Sequence, residues 1–92
     1  MNEFFGSLGK GWQKAAEKQG VKIEEPTLDP KVAEELLELA RVVAHTKERR
    51  FAPLAAYTAG IAVERLRDAK DVDAEAIAAF VREVREELER ES

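Results

Sequence analysis

The sequence predicts an all-α fold, a small antiparallel four-helix bundle, and three observations carry that prediction. Apolar residues recur at helical spacing in four separate stretches. No polar/apolar alternation persists, and no Asn-Gly or Asp-Gly hairpin turn occurs. The stretches are joined by three short connections, which favour antiparallel neighbours. At 92 residues the chain fits a single helical domain, since domains run from about 50 to 250 residues.

The first helix is expected over about residues 2–19. Phe4, Phe5, Leu8, Trp12, Ala15 and Ala16 fall near one face. Gly6, Gly9 and Gly11 each cost about 1 kcal/mol relative to alanine inside a helix, so fraying is expected over residues 1–11. Gly20 supplies a C-terminal stop. A connector with Glu24, Glu25 and Pro26 follows.

The second helix, 30–46, has a clear start signal, Asp29 as N-cap and Pro30 in the first turn. Val32, Leu36, Leu39, Ala40 and Val43 form its stripe, with Leu37 and Ala44 widening it. Glu34, Glu35 and Glu38 read as a solvated acidic face.

A short turn leads to the third helix, 52–68, with Pro53 in its first turn. It is apolar almost all round up to Glu64, which implies a central position or an additional interface. Ala52, Ala56 and Gly60 are four apart, as are Ala55, Ala59 and Val63, and such small faces admit a close neighbour. The second helix, through Ala40 and Ala44, is the expected one.

The fourth helix, 73–90, opens on Asp73 as N-cap. Ile77, Phe80, Val81, Val84 and Leu88 make the clearest stripe in the chain, and Glu86 and Arg90 have the spacing of an intrahelical ion pair. The expected core is Trp12, Leu36, Leu39, Val43, Ile61, Phe80 and Val84.

Composition excludes several functions. Of the apolar residues, 45% of the chain, 15 are alanine, so too few large side chains remain to enclose a deep substrate cavity as well as a core. The lack of cysteine removes disulfides, thiolate metal sites and cysteine nucleophiles. One histidine, His45, cannot build a multi-histidine metal site and has no adjacent Ser, Asp or Cys to complete a catalytic set. A net charge of −4 argues against a general nucleic-acid binder. The longest apolar stretch, Phe51 to Val63, is shorter than the roughly 20 residues of a membrane span. The first residues lack the pattern of a signal peptide. A soluble, cytoplasmic, non-enzymatic protein without a cofactor is expected. Charged residues are 37% of the chain, with one asparagine and two glutamines, a bias reported for heat-adapted proteins.

The most distinctive polar feature is Arg41, His45, Lys47, Arg49 and Arg50, opposed by Glu48 alone. They surround the junction of the second and third helices. Free N–H groups at the start of the third helix would add positive potential there. The cluster reads in two ways. It binds a small anion, phosphate, nucleotide or acidic partner, or its cations cap the carbonyls and dipole of the second helix. The segment 70–92 carries a charge of −4, which could face the basic turn of a second copy. The surplus apolar surface of the third helix points to a protein partner or a homodimer.

Two segments resemble a known family. Leu37-x-Leu39-Ala40-Arg41-Val42-Val43-Ala44-His45, then Glu48-Arg49-Arg50-x-Ala52-Pro53-Leu54 and Gly60, resemble a bacterial family of unknown function. Its members are small helical domains encoded beside, or fused to, proteins that make the molybdopterin guanine dinucleotide cofactor. Trp12, Ala15, Ala16 and Gly20 resemble that family's first helix, and the likeness spans about residues 12–66. The resemblance implies an accessory role in molybdenum cofactor biosynthesis and supplies no reaction.

Overall fold

A computed structural model describes residues 3–91, and over them the chain is all-α, with four helices. Asn2, expected in the first helix, lies outside the described residues. The chain divides into two compact units, Met1–Pro30 and Lys31–Ser92.

The first unit contains α1 (Glu3–Lys18) and the connector after it. The three glycines do not interrupt the helix. It ends at Gly20, whose φ of 85° suits a residue without a Cβ. The Gly20 N–H donates to the Glu17 carbonyl at 2.9 Å and the Val21 N–H to the Ala16 carbonyl at 3.1 Å, a Schellman closure. The connector then doubles back along α1. Gln13 Nε2 donates to the Ile23 carbonyl at 3.1 Å, and Lys10 pairs with Glu25 at 3.3 Å. Gly9 is buried under Pro26. The expected burial of Trp12 is overturned: it is 55% exposed, and Phe4, Phe5 and Leu8 are exposed with it.

The second unit contains α2 (Pro30–Thr46) from its second residue on, a single 3₁₀ turn (Arg49–Phe51), α3 (Ala52–Ala69) and α4 (Ala74–Glu91). Asp73 caps α4 as its sequence predicts, its carboxylate accepting the Ala76 N–H at 2.8 Å. Leu39 and Val43 of α2 and Val81 of α4 form the core, with Leu36, Ala55, Ala59, Val63 and Leu88 packed against them. Ala33, Val42, Ile77 and Ala78 are also buried.

The core is smaller than the periodicity predicts. Leu39 and Val43 are buried and Leu36 and Phe80 half-buried, but Ile61 and Val84 are exposed. The reason lies in α3, which is not central, because none of its residues is fully buried. It turns its small residues, Ala55, Ala59 and Val63, toward the core. Leu54, Tyr57 and Ile61 point outward instead. Leu37 also faces outward, so it does not widen the stripe of α2.

Candidate functional site: an apolar groove between helices

Alanine is too short to bridge the space between α3 and α4, and a groove of about 340 Å³ opens there. Ala55, Ala59 and Ala62 line one wall, with Thr58 beside them. The Thr58 hydroxyl donates to the Ala55 carbonyl at 2.9 Å, so its polar atom is already bonded to the backbone. Phe80, Val84 and Leu88 of α4 line the other wall, and Leu39, Val43 and Val81 form the floor. Val84 is 50% exposed, which shows that the groove opens to solvent. Beyond Val84 and Leu88, a second depression is bordered by Glu83, Glu87 and Glu91. The outer rim on α4 is therefore acidic.

The walls are held by polar contacts on another face of α4. Arg82 Nε donates to Glu35 Oε2 at 2.9 Å, and Arg85 reaches Glu35 at 3.5 Å and Glu89 at 2.8 Å. Glu35 is only 15% exposed in its side chain, so it is not part of a solvated acidic face. Burial lowers the basicity of Arg85, but hydrogen bonding and charge from Glu89, then from Glu35, hold it above the ordinary arginine value. Its Nε is buried without a partner. Lys31 pairs with Glu75 at the other end of the α2–α4 seam. On the outside of α4, Arg90 pairs with Glu87 and not with Glu86.

At the basic turn, two of the five cations are paired with nearby acids. Arg41, on the exposed face of α2, pairs with Glu38 at 2.9 Å. Arg50 pairs with Glu48 at 3.4 Å and lies 5.7 Å from the centre of the Phe51 ring. His45, Lys47 and Arg49 are exposed. Two N–H groups at the entry to α3 are already engaged. The Phe51 N–H donates to the Glu48 carbonyl at 3.0 Å, and the Ala52 N–H to the Arg49 carbonyl, because the 3₁₀ turn runs directly into α3. Thr46 closes α2 through its own hydroxyl, which donates to the Val42 carbonyl at 2.8 Å.

Among the described residues, no group of three or more His, Asp or Glu side chains is placed to hold a metal ion. No helix among them is long and apolar enough to cross a membrane. Sequence reasoning missed the groove, although its signal was present in the two alanine-rich, four-spaced rows of α3.

This architecture defines the class as a small all-α domain with an apolar groove between two of its helices. The chain belongs to the family described as Domain of unknown function (DUF6457), whose model matches residues 8–92. That match begins inside α1 and continues through α4, beyond the 12–66 span of the resemblance. No curated protein and no solved structure matches the chain.

Proposed function

We propose that this chain is a non-catalytic protein-interaction domain that docks an amphipathic helix in the groove between α3 and α4. The exposure of Val84 beside alanine walls carries this reading. An apolar trough with small residues on one side accepts the large side chains of a helix, and an acidic rim favours a helix with basic residues along one edge. Leu54, Tyr57 and Ile61 extend the exposed apolar surface of α3 beside it, in the manner of an interaction patch. We place the domain in the cytoplasm. The tie to molybdenum cofactor biosynthesis rests on the resemblance of the α2 and α3 residues alone.

The alternative, an anion or nucleotide site at Arg41, His45, Lys47, Arg49 and Arg50, has less support. Glu38 and Glu48 already neutralise two of its cations.

Titration with two designed helical peptides of equal hydrophobicity, one edged with lysine and one with glutamate, tests the proposal. The basic peptide is expected to shift the NMR signals of Ala59, Ala62, Val84 and Leu88 first, at lower concentration than the acidic one. No shift at these residues with either peptide overturns it.

A further inference from the structure

We infer that the outer face of α3 pairs antiparallel with α3 of a second copy of this chain. Leu54, Tyr57 and Ile61 carry the face, and all three belong to the second unit. Leu54 is 61% and Tyr57 72% exposed, so the single chain leaves these side chains uncovered. Helical spacing sets them on a different side of α3 from Ala55, Ala59 and Ala62, the wall of the groove. The inference therefore goes beyond the docking reading and does not depend on it. Gly60 adds a separate observation. Glycine weakens a helix interior, yet a Cβ at position 60 would meet nothing within 4 Å. Packing within the chain does not call for glycine there, whereas close passage of a second helix does.

The order of residues along α3 selects both the partner and its direction. Leu54, Tyr57, Ile61, Glu64 and Asp68 advance in alternating steps of three and four, the spacing of a helix-pairing seam. The row is symmetric about the level of Ala59. Tyr57 lies two residues before it and Ile61 two after, while Leu54 lies five before and Glu64 five after. About a twofold axis at that level, Tyr57 packs on Ile61 of the second copy, and Leu54 on the methylene stem of Glu64. The Glu64 carboxylate keeps its own partner, Arg67, at 3.5 Å. Charge fixes the direction. Arg49, ten residues before Ala59, would meet Asp68, nine after it, at both ends of the pair. Both are exposed, and neither forms an ion pair among the described residues. A parallel pair would set Arg49 on Arg49 and Asp68 on Asp68 instead. With 18 residues, α3 is about 27 Å long. A contact made by one helix from each copy falls below the roughly 1,200 Å² of a standard interface, so the dimer is weak and concentration-dependent.

The test is sedimentation velocity of the full chain from low to high micromolar concentration, with circular dichroism checking that each variant keeps its helix content. Wild type is expected to dimerise toward the upper end of the range. Arg49→Glu and Asp68→Arg each place like charges at both ends of the pair, and each should weaken dimerisation about tenfold or more. The double variant exchanges the two charges and should dimerise as wild type does. Tyr57→Glu should remain monomeric, whereas Val84→Lys, in the groove, should dimerise normally. A monomeric wild type overturns the inference, as do single charge variants that dimerise like wild type or a double variant as weak as the singles. Dimerisation lost in Val84→Lys but kept in Tyr57→Glu would move the contact to the groove and overturn it too. The basic-peptide titration reads the groove separately, so failure of this inference and failure of the docking reading are distinguishable.

Discussion

Gly9 lies directly against the backbone of Pro26: a Cβ at position 9 would sit 2.8 Å from the Pro26 carbonyl oxygen and 3.0 Å from Glu25 Cγ. Carbon and a backbone oxygen do not approach that closely without a shift. Gly9→Ala should therefore displace the connector, even though alanine gains about 1 kcal/mol of helix propensity. Gly11→Ala meets nothing within 4 Å and should keep that gain. Hydrogen exchange of α1 amides is expected to quicken in Gly9→Ala and slow in Gly11→Ala. Equal slowing in both would show that the connector does not cross at Gly9.

Core and groove residues should separate in urea melts. Leu39→Ala, at the centre of the core cluster, is expected to cost about 2–5 kcal/mol. Leu54→Ala, on the exposed face of α3, should stay within about 0.5 kcal/mol. Phe80→Ala should fall between them, near 2 kcal/mol, below the roughly 3–5 kcal/mol of a central phenylalanine. Similar losses at Leu54 and Leu39 would contradict the outward placement of α3.

Glu35 and Glu34 are adjacent acids with different surroundings. Glu35→Ala leaves Arg85 half-buried with its Nε already unpaired, and a cost of about 1–3 kcal/mol is expected. Glu34→Ala, on the exposed face, should change stability by less than about 0.5 kcal/mol. The raised pKa of Arg85 fixes the sign of its pH dependence. Its contribution is fully present below the ordinary arginine pKa and is lost only as pH rises through the higher folded value. Alkaline titration from neutral pH up to that range should therefore leave the Glu35→Ala penalty unchanged.

The sequence makes the helices legible because their start and stop signals are local. Pro30, Asp73 and Gly20 act within one turn of themselves, and the structure uses each of them. Burial is a different matter. Periodicity shows which face of a helix is apolar but not whether another element covers it, and so Trp12, Ile61 and Val84 read as core. On α3 the apolar residues of both kinds look alike in sequence, yet packing turns the alanines inward and Leu54 and Tyr57 outward. Glu35 was hidden for a related reason, since its partners Arg82 and Arg85 are 47 and 50 residues away. The cations of the basic turn were visible, but their neutralisation by Glu38 and Glu48 depends on rotamers.

Phosphate titration addresses that turn. With Arg41 and Arg50 held by their own acids, phosphate is expected to cause only small NMR shifts at His45, Arg49 and Arg50. The shifts should be the same in wild type and Arg49→Ala. A saturable shift confined to these residues and lost in Arg49→Ala would establish an anion site instead.

The open groove is tested most directly by solvent paramagnetic relaxation. A soluble gadolinium chelate is added to dilute methyl-labelled protein, where copies are kept apart, and broadening is compared across methyl groups. Strong broadening is expected at Val84, Leu54 and Ile61, with Ala33, Ala78 and Val81 protected. Protection of Val84 equal to that of Ala78 would mean that the groove is closed in the single chain, and would contradict the account.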